Sequence, residues 1–139
     1  MKSIKSIIYI LSLIIIFTLP YGNSIDPTSK TYTLLNVDEP PEFPGGDAAL
    51  LEWISDNIQS PKLSKTDIHK TYISIRTIIT KDGTLILADS AEKYLESYPK
   101  YGAEIRRLLS IMPKWVPATV DGKPVDVIYF ITFKFEKVY

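Results

Sequence analysis

The chain has 139 residues, of which 45% are hydrophobic and 12% aromatic, and its 16 basic side chains balance its 16 acidic ones. This length and composition predict one small globular domain and exclude a disordered chain. The absence of cysteine excludes disulfides, thiolate catalysis, Cys-ligated metal and an acylated N-terminal cysteine. Because the net charge is near zero, the chain has no excess of positive charge to attract nucleic acid, so no nucleic-acid partner is expected.

The N-terminal segment has the pattern of a secretory signal peptide. Lys2 and Lys5 precede an apolar run over residues 7–19, and small residues lead up to a cleavage site expected after Ser24. Removal of residues 1–24 leaves 14 basic and 16 acidic side chains, a net charge of −2. The apolar run is shorter than the roughly 20 residues that span a bilayer core. However, the uncharged stretch around it is longer, so an uncleaved anchor in the inner membrane is the alternative. In both cases the domain is expected outside the cytoplasm, in a periplasm.

The segment after the predicted cleavage site is interpreted as a leader. Residues 25–37 are polar and contain Pro27, and they are expected to hold at most one short strand, near residues 32–35. The ordered domain is expected over residues 38–139. No internal repeat, low-complexity tract or run of like charges interrupts it, which favours a single folding unit.

A first helix is predicted over residues 47–58. Leu51, Ile54 and Ile58 recur at helical spacing, and Asp47 lies where a carboxylate interacts favourably with the positive end of the helix dipole. The helix is expected to pack on another element, because Leu50 and Trp53 widen its apolar stripe.

A β-hairpin is predicted after this helix. Residues 71–80 alternate at a period of two and are rich in isoleucine and threonine, as in a half-buried strand. The Asp-Gly pair in residues 81–83 tolerates the positive φ of a tight turn, and residues 84–88 are expected to form the returning strand.

A second helix is predicted over residues 99–112, where apolar residues recur at helical spacing between two prolines. Residues 91–98, between the hairpin and this helix, are consistent with one short helical turn. The last strand is predicted over residues 125–135, because all of its odd positions are apolar while most of its even positions are polar. Ile128 and Phe130 are two apolar exceptions on the polar face, and they are expected either to contact a partner or to be covered by the leader strand or by a second copy of the domain.

The element order helix, strand, strand, helix, strand predicts an α+β fold. We expect a two-layer sandwich in which a three-stranded antiparallel sheet is covered on one face by two helices. Such a sheet has two edges and an open face. An unpaired edge strand promotes aggregation unless a partner or another part of the chain pairs with it.

Four sequence motifs carry a family resemblance. They are Phe43-Pro44-Gly45-Gly46, Lys81-Asp82-Gly83, Met112-Pro113-Lys114-Trp115-Val116-Pro117-Ala118 and Asp121-Gly122-Lys123-Pro124-Val125. In this order and spacing they resemble the C-terminal domain of TonB energy transducers, in the form common in Bacteroidetes. The resemblance covers about residues 38–135.

The resemblance implies a non-enzymatic interaction domain of TonB-dependent transmembrane transport. Domains of this family bind the TonB box, an extended periplasmic segment of an outer-membrane receptor, by strand addition to their last strand. Strand addition draws affinity from main-chain groups and specificity from alternate side chains. The partner-binding residues implied here are Val127, Ile128, Tyr129, Phe130, Ile131, Thr132 and Phe133. The residues implied to be structural are Phe43, Pro44, Gly45, Gly46, Pro113, Trp115 and Pro117.

The chain departs from the family outside this domain. A complete energy transducer has an anchor helix with a functional histidine and a long Pro-rich spacer, whereas His69 is the only histidine here. Residues 25–44 reach about 65 Å when fully extended. Coupling to the proton gradient by the family's route is therefore not predicted. The alternative function is a free periplasmic structural module that self-associates, for example as a homodimer, or binds an envelope partner unrelated to uptake.

No enzyme activity, cofactor or metal is predicted. His69 has Asp67 two positions before it in a polar loop, but a metal site or a catalytic dyad needs further ligands or a nucleophile that the sequence does not offer. Asp82 and Asp121 each precede a glycine and are interpreted as turn residues. Contact with a membrane is expected only through an uncleaved N-terminal segment.

Overall fold

The structure is a computed structural model of the chain, and it describes residues 30–136. The predicted signal peptide, its cleavage site and the alternative anchor lie outside these residues. The strands are β1 (Tyr32–Thr33), β2 (Tyr72–Ile79), β3 (Leu85–Leu87), β4 (Ala118–Val120), β5 (Lys123–Val125) and β6 (Val127–Lys134). The helices are α1 (Gly46–Asn57), α2 (Asp89–Glu96) and α3 (Pro99–Ile111), and a 3-10 turn spans Leu34–Asn36.

The α+β fold is confirmed, but the predicted number of elements is wrong. The described part of the chain forms a four-stranded mixed sheet in the order β1-β6-β2-β3, with β4 and β5 in a separate two-stranded sheet. Residues 30–136 hold three helices instead of the two predicted, because residues predicted as one turn form α2. The last strand is therefore not the outermost one. The leader strand β1 lies beside it and runs parallel to it.

The predicted last strand, residues 125–135, is two strands. Val125 pairs with Ala118 in the small sheet, whereas Val127 pairs with Ile79 in the main sheet. Asp126 lies between them, where its side chain accepts a hydrogen bond from the Lys81 N–H over 2.7 Å. The alternation of apolar residues continues through Asp126, so it does not reveal this change of sheet.

The core lies between the helices and one face of the main sheet. The odd-numbered residues of β2 and most of those of β6 are buried there, together with side chains from all three helices. Full burial of one large apolar side chain contributes about 1.5–3 kcal/mol relative to exposure. The largest apolar side chains that are fully buried are Ile73, Ile79, Leu95, Ile105, Leu108, Val127 and Phe133.

The Phe-Pro-Gly-Gly motif reverses the chain at the start of α1. Gly45 and Gly46 have φ of 88° and 86°, and the Gly46 N–H donates to the Phe43 carbonyl over 2.7 Å. These φ values favour glycine, which has no Cβ to clash. Phe43 is buried, and its ring meets that of Trp115 edge-on at 5.4 Å. The motif therefore joins the start of α1 to the segment that follows α3.

A partly buried ion pair of α3 is hydrogen-bonded to the chain at the end of α1. Glu104 lies on α3 with 8% exposure, and its carboxylate accepts from the Arg107 guanidinium at 2.6 Å and from the Gln59 N–H at 2.7 Å. Arg107 also donates to the Asn57 carbonyl at 2.6 Å. Burial works to raise the pKa of Glu104, but the hydrogen bonds from Arg107 and Gln59 outweigh it, so this pKa lies below its usual value.

Candidate peptide-binding edge

The odd and even residues of β6 direct their main-chain groups to opposite sides. The Phe135 N–H donates to the Thr71 carbonyl over 2.8 Å, and the Tyr129 carbonyl accepts from the Thr77 hydroxyl over 2.8 Å, so odd positions face β2. The Asp126 carbonyl accepts from the Tyr32 N–H over 2.9 Å, so even positions face β1. This alternation is the ordinary one for a strand that pairs on both sides.

The leader pairs with only the first part of this outer edge. Its register joins Tyr32 to Val127 and Thr33 to Ile128, after which the chain turns away through the 3-10 turn. Further along β6, the even positions direct their N–H and C=O groups outward, and none of these groups has a main-chain partner among residues 30–136. The open positions are Phe130, Thr132 and Lys134.

A groove lies between this open edge and α1. Its volume is about 380 Å³. Ile54 is buried, whereas Leu51 is 67% exposed. At the far end, the Glu136 N–H donates to the Ser60 hydroxyl over 2.9 Å, which ends the open stretch. The groove is lined by Leu51, Ile54, Ser55, Ile58, Ser60, Thr132, Lys134 and Glu136.

The sheet face opposite the helices is exposed along β2 and β6. Phe130 is 65% exposed and Tyr72 is 61% exposed, while Arg76 lies directly across from Phe130. The Thr132 and Ser74 hydroxyls hydrogen-bond across the two strands at 3.1 Å. A partner strand beside β6 would contact apolar side chains of α1 on the helix-covered face of the sheet. On the opposite face it would contact Phe130 and the polar residues around it.

The structure divides the predicted partner-binding residues into two sets. Val127, Tyr129, Ile131 and Phe133 direct their main-chain groups to β2, and three of them are buried. Only the even positions face outward, and Ile128 already pairs with the leader. Lys134 lies at the open edge but was not among the predicted residues. Extending the alternation by one position would have included it.

The other predicted motif residues lie in or around the core. Trp115 is buried, its ring meets that of Tyr129 at 5.1 Å, and its Nε1–H points at the Met112 sulfur over 3.3 Å. Burial raises the pKa of Tyr129, and the negative charge of Asp47 adds to this shift. Pro113 and Pro117 flank Trp115, where they are exposed and half-buried.

The described residues show no site for a metal. No group of three or more His, Cys, Asp or Glu side chains with the geometry to hold an ion occurs within residues 30–136. His69 is exposed, and the Asp67 carboxylate is engaged by Lys100 at 2.6 Å. None of the helices in this part of the chain is long and apolar enough to cross a membrane.

Comparison of the chain with protein families, with curated proteins and with solved structures finds no match.

Proposed function

We propose that the protein is a non-enzymatic periplasmic interaction domain, similar to the C-terminal domain of TonB, and that it binds an extended TonB-box segment of an outer-membrane receptor. The segment adds to the main sheet beside β6. The proposal depends mainly on one observation, the open outer edge at Phe130, Thr132 and Lys134. A strand placed there completes the hydrogen bonds of these three residues.

The surroundings of the edge support this function. The groove beside α1 offers Leu51 and Ile58 to inward side chains of a bound strand. A solvent-exposed edge with apolar flanks promotes aggregation unless a partner pairs with it, so an unprotected edge of this kind favours a binding role. The helices cover the other face of the sheet with a common apolar core, which supports the strand β6 from that side.

The self-associating module is the competing function. Phe130 is an exposed aromatic side chain at the edge, and a second copy of the chain presents the same main-chain groups. An edge-to-edge dimer would use the same residues. The two functions therefore differ in the partner, and concentration dependence separates them.

NMR titration of the ¹⁵N-labelled protein with a panel of TonB-box peptides tests the proposal. We expect the amides of Phe130, Thr132 and Lys134 to shift most, because they point at the added strand. The amides of Ile131 and Phe133 should shift less, because they point at β2. If no peptide perturbs the edge and sedimentation shows a concentration-dependent dimer, self-association is the function and the proposal is wrong.

A further inference from the structure

The main sheet has a second open edge, at β3. The Ala88 N–H donates to the Arg76 carbonyl over 3.2 Å, and the Thr80 N–H donates to the Thr84 carbonyl over 2.9 Å. Even-numbered positions of this strand therefore face β2. Leu85 and Leu87 direct their N–H and C=O groups outward, and these groups have no partner within residues 30–136.

The chain itself limits this edge at both ends. The Gly83 carbonyl accepts from the Trp115 N–H over 2.8 Å, so the segment after α3 closes the near end. The helix α2 begins at Asp89, close after the end of β3, so the chain leaves the sheet at the far end. An added strand has only two residues to pair with, and this fixes its register.

A groove of about 620 Å³ lies between β3 and α3, beside the two open residues. Leu109 of α3 and Met112, which directly follows α3, line it together with Leu85 and Leu87. It is larger than the groove beside β6. A strand paired with β3 would point alternate side chains into this groove, since residues opposite one another share a sheet face.

The charges around the groove are unequal at its two ends. At the far end, Arg106 and Glu92 neutralise one another in an ion pair of 2.6 Å. At the near end, next to Thr84, Lys114 is exposed and has no ion-pair partner in the part of the chain that the structure describes. A carboxylate of the ligand at the near end would form an ion pair with Lys114.

We propose that this groove binds an extended segment of a partner protein as an additional strand, antiparallel to β3. The segment has two apolar residues two positions apart, opposite Leu87 and Leu85, followed by an acidic residue beside Lys114. Antiparallel pairing gives both open residues complete hydrogen-bonded pairs, and it is slightly more stable per residue than parallel pairing. The site is separate from the β6 edge and does not depend on the function proposed above.

A second copy of the chain fits this groove poorly. Symmetric pairing of two β3 edges would place both α3 helices on the same side of the joined sheet. A helix with its side chains is about 10 Å across, and a groove of about 620 Å³ does not hold several turns of one. A single extended segment is therefore the occupant that the space admits.

The probe is the peptide acetyl-Thr-Leu-Thr-Leu-Asp-Gly-amide, titrated at millimolar concentration into the ¹⁵N-labelled protein. We expect the amides of Leu85 and Leu87 to shift most. N-methylation of either leucine of the probe should abolish binding, because those amides donate to β3. N-methylation of the threonine between them should leave binding intact, because that amide faces solvent. Loss of binding with the methylated threonine instead, or shifts confined to Phe130, Thr132 and Lys134, would overturn the proposal.

A charge exchange tests the role of Lys114. Lys114→Glu should weaken the probe about two- to five-fold, as for an exposed ion pair. It should strengthen, by a similar factor, a probe in which aspartate is replaced by lysine. Lys134→Glu, at the other edge, is the matched control and should leave both affinities unchanged. Equal effects of the two substitutions, or no effect of Lys114→Glu on either probe, would contradict the role of Lys114. A dimer that forms through β3 in the absence of the probe would contradict the proposed peptide site.

Discussion

The Tyr32 N–H donates to the Asp126 carbonyl over 2.9 Å, and this hydrogen bond places the leader on the outer edge of β6. It lies at the point where the chain passes from the small sheet into the main sheet. Because the strand β1 has only two residues, the leader covers the beginning of the edge and leaves the rest open.

Removing this donor should release the leader. In Tyr32→Pro we expect the Ile128 amide, which faces β1, to exchange with deuterium at least about tenfold faster, since proline has no N–H to offer. Thr33→Pro is the matched control, because the Thr33 N–H points away from β6 in the alternation of a strand. Equal exchange in wild type and Tyr32→Pro would show that this pairing does not protect the edge.

Substitution of Phe130 should change binding more than stability. Phe130→Lys retains the strand at an exposed position, so we expect a change within about 0.5 kcal/mol in the free energy of unfolding. The affinity for TonB-box peptides should fall, because an apolar contact at the edge is lost. Tyr72→Lys alters an equally exposed aromatic residue on β2, away from the edge. If both variants lose the same affinity, the ligand lies on the sheet face and not along β6.

Two glycine substitutions separate steric clash from backbone strain. In Gly83→Ala the new Cβ would clash with the Trp115 carbonyl oxygen, and φ is 80°. In Gly122→Ala φ is 74°, but nothing lies within 4 Å. The free energy of unfolding of the Gly122 variant should fall by about 1–2 kcal/mol, because alanine is strained in the left-handed conformation. Chemical denaturation should show a clearly larger loss for Gly83→Ala, and similar losses would contradict the close packing of Trp115.

Adjacent arginines of α3 should contribute unequally to stability. Arg107→Ala leaves the buried Glu104 carboxylate without its main partner, so we expect the free energy of unfolding to fall by about 1–3 kcal/mol. Arg106→Ala removes an exposed pair with Glu92, for which about 0–1 kcal/mol is typical. Urea unfolding of the two variants measures this difference, and the reverse order would refute the buried network.

Asp67 should contribute to acid sensitivity. A hydrogen bond from Lys100 and others from Ser64 lower the pKa of Asp67 to about 2, from 3.8. Because the pKa is lower in the folded state, the stabilisation is complete above about pH 4 and is lost as the pH falls towards 2. In Asp67→Asn, the thermal midpoint should depend less on pH within that window. Asp56→Asn, which changes an exposed carboxylate on α1, should retain the wild-type dependence.

The sequence predicts the elements that local patterns define. The hairpin of β2 and β3, the helix α1 and the helix α3 are confirmed to within a few residues, because hydrophobic period, Asp-Gly turn and prolines act over short distances. A short strand was expected near residues 32–35, where β1 lies, but two residues carry no pattern that shows which distant strand they pair with. The small sheet was missed for a different reason, since the apolar alternation continues unbroken through Asp126, where the chain changes sheet.

The candidate sites show the same limit. The period of two correctly places Phe130 and Thr132 on the outward face of β6. However, that pattern does not tell which strand is the neighbour, so it did not reveal that Ile128 is already paired. The groove at β3 depends on where α3 lies relative to the sheet, and no local pattern in residues 85–87 indicates that.

The pairing of β2 with β6 also determines when the domain can fold. Ile79 pairs with Val127 and Tyr72 with Lys134, so the partners are 48 and 62 positions apart in the chain. Such distant contacts form slowly, because a long loop must close before any of them stabilises the chain. Until β6 has emerged from the ribosome, β2 has only its short hairpin partner, β3. The main sheet therefore cannot form before β6 is available, and truncation within β6 removes the neighbour of β2 along most of its length.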